Sequence, residues 1–291
     1  MRSDKSTKPV LIAALGVALF SILDAMMKVI ASTYPIAQST GMRYWAAAVT
    51  AVVFYMYANG KWPGKDAIFR SIPRSVANLS AGTCFFIAIA RLPLVDAITL
   101  TFLSPLFLAF WGWVFLAEPL KRNTLAAIIV GLAGVFLIVR GQNDDINHSF
   151  DLIGIGAAIA TAALYALSMV MTRGHSSKDS LPTLVLLPSV IGAILAAPSM
   201  ILVWSPVSLW HYGLVACIGI LATTGYICLA WAYSNSHVGR LGLLDYTGLI
   251  WAVVFGYFIF YETPSVWTIA GAFLIIGACI PAFFKESSEA V

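Results

Sequence analysis

Asp24 and Lys28 close an apolar run that begins at Val10, and they stand four positions apart. An α-helix sets residues at that spacing on one face, one turn apart, so the carboxylate and the ammonium can pair. Two chemistries are open. In one, the pair sits near a membrane boundary and Lys28 reaches water along its own stem. In the other, Asp24 faces a central cavity and carries a proton or holds an amine. The place of Lys28 near the end of the run favours the first. Arg43 lies about two turns inside the next apolar run. It suits a bound carboxylate or, better, a structural acid or helix end. Ionisable groups at such depth cost ~2.5–3.5 kcal/mol each in a bilayer, so they mark candidate sites by default. Asp96 and Asp245 flank two later runs and read as interfacial. Glu118 and Glu262 each stand just before a proline, Pro119 and Pro264. There an acid can satisfy the free N–H groups of the helix that follows.

No catalytic constellation accompanies these groups. The sequence holds no H-E-x-x-H, no paired His ligands and no Gly-rich phosphate loop. His148, His175, His211 and His237 fall in loops or at the ends of apolar runs. Cys84, Cys217, Cys228 and Cys279 lie inside apolar stretches without a C-x-x-C spacing, as packing thiols do. An enzyme needs converging nucleophile, acid–base or metal groups. The expectation is therefore a non-enzyme with no metal and no cofactor.

The elements that must position these residues follow from composition. The chain has 291 residues, of which 60% are hydrophobic and 10% charged, and its mean hydropathy is +0.89. Soluble domains run near 45–50% apolar and ~25% charged, so the fold class is all-α integral membrane, with the lipid bilayer as solvent. The formal net charge of +4 forms no basic stripe, and no nucleic acid partner is expected. A bilayer core needs roughly 20 helical residues per crossing. Ten segments qualify: 8–31, 36–58, 73–91, 95–117, 123–140, 152–173, 181–203, 211–234, 239–261 and 266–284. Arg2, Lys5 and Lys8 ahead of the first resemble a signal peptide, but no small-x-small cleavage site follows, so it reads as a retained span.

Lys and Arg orient the spans. With the N-terminus inside, the inner loops receive Lys61, Lys65, Arg70, Arg74, Lys121, Arg122, Arg173, Lys178, Arg240 and Lys285, while Lys28, Arg91 and Arg140 fall outside. That bias places both termini in the cytoplasm.

An internal repeat divides the chain into residues 1–145 and 146–291. Lys28 closes the first span and Arg173 the sixth. Ala18-Leu-Phe-Ser21 overlies Ala163-Leu-Tyr-Ala166, and Cys84 falls on Cys228. Gly112-Trp-Val-Phe-Leu-Ala-Glu118-Pro119 overlies Gly256-Tyr-Phe-Ile-Phe-Tyr-Glu262-Thr-Pro264, and a Gly-bearing apolar helix follows each. Five spans is an odd number, so the halves must insert in opposite orientations. Two inverted five-helix repeats are characteristic of secondary transporters.

These features together resemble the drug/metabolite transporter superfamily, in its EamA-type ten-span form. The basic residue closing the first span of each half, Arg43 in the second span, Leu103-Ser104-Pro105 in the fourth and Glu-Pro before a Gly-x-x-Gly helix carry the likeness over nearly the whole chain. Two positions depart from it: Gly248-Leu249 replaces Ser104-Pro105 in the second half, and Pro188 stands opposite Arg43. The resemblance implies export of metabolites such as amino acids across a bacterial inner membrane. Within the family the chain is similar to bacterial aromatic amino acid exporters.

A transporter of this design binds its substrate near the midplane between halves. Candidates there are Ser21, Asn78, Phe85, Phe102, Ser104, Tyr165, Ser168, Thr223, Tyr226 and Tyr246, with Asp24, Lys28 and Arg43 as charge or proton sites. The set is mostly apolar with a few polar anchors. It suits a small amphoteric or neutral molecule with an apolar side chain better than a multiply charged phosphate ester. Drug or nucleotide-sugar carriage, and less readily an integral membrane enzyme, are the alternatives. The Ala/Gly positions of the fifth and tenth spans suit close packing and leave a homo-oligomer open as a partner.

Overall fold

A computed structural model describes residues 8–58, 63–116, 122–144, 151–173, 180–234 and 247–289. Among them there are helices and no strands. In chain order they are α1 (Lys8–Thr33), α2 (Ile36–Tyr57), α3 (Lys65–Arg91), α4 (Leu94–Thr101), α5 (Ser104–Leu116) and α6 (Arg122–Asp144). There follow α7 (Leu152–Arg173), α8 (Leu181–Leu202), α9 (Leu209–Ser234), α10 (Gly248–Phe260) and α11 (Val266–Glu289). Among the described residues, six stretches are long and apolar enough to cross a membrane: Lys8–Thr33, Lys65–Arg91, Leu94–Phe115, Leu152–Met171, Pro182–Leu202 and Leu209–Leu229. Shorter apolar helices span Ile129–Arg140, Gly248–Phe260 and Val266–Gly277. Helix α2 has the length but opens with Gln38, Ser39, Thr40 and Arg43, which lowers its hydropathy. Gln38 is spent inside the protein: it donates to the Ser205 carbonyl at 2.8 Å, and its own oxygen accepts from the Ser205 N–H at 2.9 Å.

The stretch expected as one fourth span is two helices. Pro105 has no N–H to give the carbonyl four residues back, at Thr101. The chain tightens there instead, with Phe102 N–H donating to Thr99 at 3.1 Å and Leu103 N–H to Leu100 at 3.2 Å. The break leaves Phe102 and Ser104 at the middle of the bundle.

Four helix pairs organise the bundle: α1 lies on α9, α2 on α8, α3 on α7 and α6 on α11. The main core runs through Leu23, Met27, Phe86, Leu94, Leu100, Ile138 and Ile275, all nearly inaccessible. Large apolar side chains such as Met56, Phe69, Phe136 and Phe273 instead cover the outside, the surface that lipid tails solvate. The α6–α11 crossing is reciprocal. A Cβ on Gly134 would stand 2.8 Å from the Gly271 carbonyl oxygen, and one on Gly271 would stand 2.6 Å from the Gly134 carbonyl oxygen. Only glycine lets two backbones approach so closely. The small-residue face offered for self-association is thus, at these two positions, buried within one chain.

Candidate functional site

Helix α10 ends in a left-handed turn. Tyr261 takes φ 56°, the one positive φ on a non-glycine among the described residues. Its N–H donates to Tyr257 at 3.2 Å, and the Glu262 N–H reaches back to Gly256 at 2.9 Å. The Tyr261 bond is that of an αL helix cap, with a bulky residue where glycine is usual. A strained position of this kind commonly serves the residue it aims, here Glu262. One Glu262 oxygen accepts from the Lys28 ammonium at 2.5 Å, and the other accepts from the Leu94 N–H at 2.8 Å. Lys28 is buried, donates also to the Leu92 carbonyl at 2.9 Å and lies 5.0 Å from the centre of the Phe260 ring. Glu262 does cap a helix, but it is α4 rather than the helix that follows it. One ion pair therefore ties together α1, the α3–α4 junction and the α10–α11 turn.

Further contacts gather at the same end. Tyr34 bonds His211 at 2.9 Å, and Thr268 donates to Asp96 at 2.7 Å. Asp96 is thus buried in the protein rather than interfacial. Arg91 donates to Asp151 at 2.9 Å. Asp151 also caps α7, accepting from the Gly154 N–H at 2.9 Å. That bond first, then Arg91, holds its carboxyl below the ordinary carboxylate range.

One turn deeper on α1 lies a cavity of about 290 Å³ between the two halves of the chain. Val17, Phe20, Ser21 and Asp24 line one side at helical spacing. Phe85 and the α4–α5 break line another, Thr161 and Tyr165 of α7 a third, and Leu229 and Gly248 close it. A larger groove of about 440 Å³ runs outside, along α2, α8 and α9. It is almost wholly apolar, lined by Trp45, Val49, Trp204 and Ile220 among others, and is continuous with the lipid-facing surface.

The structure brings together Ser21, Asp24, Phe85, Phe102, Ser104 and Tyr165. Of the others, those that are described lie elsewhere. Asn78 lies at the α2–α3 contact, where its backbone carbonyl accepts from the Tyr44 hydroxyl at 2.9 Å. Thr223 meets Thr50 at 2.6 Å across the α2–α9 contact. Ser168 is buried farther along α7, and Tyr226 points off α9 with 38% exposure. Arg43 sits over the Tyr44 and Phe86 rings at 5.1 and 5.5 Å. Tyr246 lies outside the described residues. Lys28 and Asp24 are not paired: Lys28 turns to Glu262, and Asp24 makes no hydrogen bond or ion pair among the described residues, although the charge of Arg43 reaches it. The sequence candidates omit Thr101 and Thr161. Thr161 precedes Tyr165 by one turn, and that stripe is the signal that could have found it.

Comparison with known proteins gives concordant results. A family model described as "EamA-like transporter family" matches residues 7–140 and again 152–284. The pseudopaline exporter of Pseudomonas aeruginosa is 27% identical over 93% of this chain and 94% of its own length. The S-adenosylmethionine uptake transporter of Rickettsia bellii is 21% identical over 90% and 89%. Solute carrier family 35 member G1 of Mus musculus is 26% identical over 74% and 62%. A crystal structure 19% identical in sequence superposes with a TM-score of 0.65, covering 95% of this chain and 98% of the other, which shows a shared fold.

Proposed function

The chain belongs to the EamA-like transporter family, and on that premise we propose that it exports amino acids or similar small metabolites, aromatic or apolar ones foremost, across a bacterial inner membrane. In this reading ten spans form two inverted repeats, 1–145 and 146–291, both termini lie in the cytoplasm, and the halves exchange roles by alternating access. The helix pairing supports the repeat. The α1–α9 and α3–α7 contacts exchange when the halves are exchanged, while α2–α8 and α6–α11 map onto themselves. The family model, matching once in each half, points the same way.

The observation that carries the transport reading is a cavity between the halves, with the Lys28–Glu262 ion pair one helical turn beyond Asp24. By the charge bias the ion pair lies toward the exterior. The cavity mixes aromatic walls with hydroxyls and one carboxylate. Its size, near the lower limit of ordinary ligand cavities, suits an amino-acid-sized molecule better than a nucleotide sugar. Of the candidate residues, Ser21, Asp24, Phe85, Phe102, Ser104 and Tyr165 form the binding set. The test is uptake or exchange by purified protein in liposomes across an amino-acid panel. Aromatic and branched members should move, and no flux of any member would overturn the substrate assignment.

A further inference from the structure

Three of the five hydroxyls lining the cavity have their protons committed. Ser21 donates to the Val17 carbonyl at 3.0 Å, Thr101 to Ile98 at 2.7 Å and Thr161 to Ala157 at 2.8 Å. Carbonyl oxygens only accept, so the direction of each bond is fixed, and what these side chains still offer the cavity is lone pairs. Asp24 adds a carboxylate, which also accepts. Ser104 and Tyr165 complete the polar lining with hydroxyls, which donate as well as accept. No basic side chain lines the cavity among the described residues. Lys28, the cation one turn away, is held by Glu262 and Leu92, and the Arg43 guanidinium lies over Tyr44 and Phe86. The walls are Phe20, Phe85 and Phe102, whose ring faces attract cations. A described lining whose one charge is a carboxylate, and in which three hydroxyls offer only lone pairs, favours a ligand that brings donors and positive charge. Among the described residues it offers a carboxylate no cation.

We infer that the cavity recognises a protonated amine on a compact aromatic or apolar body, with Asp24 as the counter-ion, and that a carboxylate on the same ligand is dispensable. This rests on the reading of the cavity as the transport site and narrows it: the group selected is the ammonium, so simple monoamines bind at least as well as the parent amino acids. A charge-assisted hydrogen bond in a desolvated site corresponds to a roughly ten- to hundredfold preference over a neutral isostere.

The experiment compares 2-phenylethylamine, 2-phenylethanol, 3-phenylpropionate and phenylalanine as ligands of the purified full chain, by calorimetry or ligand-induced thermal shift. The wild type should bind the amine and phenylalanine, the alcohol about ten- to a hundredfold more weakly, and the acid least. In Asp24→Asn the amine should fall to the level of the alcohol, with alcohol binding retained as the sign of an intact cavity; Asp24→Glu should keep the amine preference. Equal binding of acid and amine, an unchanged amine preference in Asp24→Asn, or no binding of any probe by the wild type overturns the inference. Liposome flux separates the two readings. Flux without amine preference removes this inference alone, and amine-selective binding without flux removes only the transport assignment.

Discussion

Lys28 has an acid on either side. Glu262 accepts from Lys28 and from the Leu94 N–H. Asp24, one turn deeper on α1, accepts nothing from the described residues and looks into the cavity. The acid near in sequence is left without a partner among those residues, and the acid 234 positions away takes the ammonium. What separates them is the cost of replacing water. Glu262 meets two fixed donors at a backbone turn built to aim it, whereas the donors for Asp24 must come from whatever enters the cavity. One carboxylate serves structure and the other is held in readiness, and substitutions should tell them apart.

The largest difference is expected from Glu262→Ala against Asp24→Asn. Removing one partner of a buried ion pair strands the other, at a cost of about 3–5 kcal/mol, so Glu262→Ala should melt at a markedly lower temperature in detergent. Asp24→Asn strands nothing and should melt near the wild-type temperature while losing amine binding. Comparable melting losses in the two variants would erase the distinction. A charge swap, Lys28→Glu with Glu262→Lys, should give an intermediate result. It restores an ion pair but brings a second carboxylate onto α1 one turn from Asp24, and like charges at that spacing repel. Adding Asp24→Asn should then recover stability, as read by the same melting assay. If the third change has no effect, Asp24 does not feel its neighbour.

The smallest effect is expected at the rim. Asp151→Ala removes a helix cap and a bond to the half-exposed Arg91, together about 1 kcal/mol. The folded-state carboxyl lies below its ordinary value of 3.8, so its contribution is complete above that value and is lost as pH falls through the lowered one. Wild type and variant should therefore converge in melting temperature on acidification below about pH 4, and a difference undiminished at low pH would contradict this origin.

The class of fold is legible because lipid leaves the backbone few choices, and composition alone carries that constraint. Helix positions follow from hydropathy. The break at Phe102–Leu103 does not, although Pro105 is in view, because proline can end a helix or merely kink it and packing decides which. The cavity is half legible. Residue type and depth single out Ser21, Phe85, Phe102, Ser104 and Tyr165, and the structure places them together. Thr223 has the same credentials but spends its hydroxyl on a helix contact, and Asn78 lies at the α2–α3 contact, where its backbone carbonyl accepts from Tyr44, placements that no local pattern distinguishes. The partner of Lys28 is the least legible feature. It depends on a left-handed Tyr261 and on α10 lying beside α1, and spacing along the chain points to Asp24 instead.

That long separation also bears on how the protein is made. Chains are synthesised at about 5–20 residues per second, so Glu262 emerges roughly ten to fifty seconds after Lys28. Throughout that interval the ammonium is already in the first helix, with its eventual partner not yet polymerised. The one acid that α1 itself supplies, a single turn back, is Asp24. A growing chain and a finished one thus offer Lys28 different company, and completion leaves the nearer acid to the cavity.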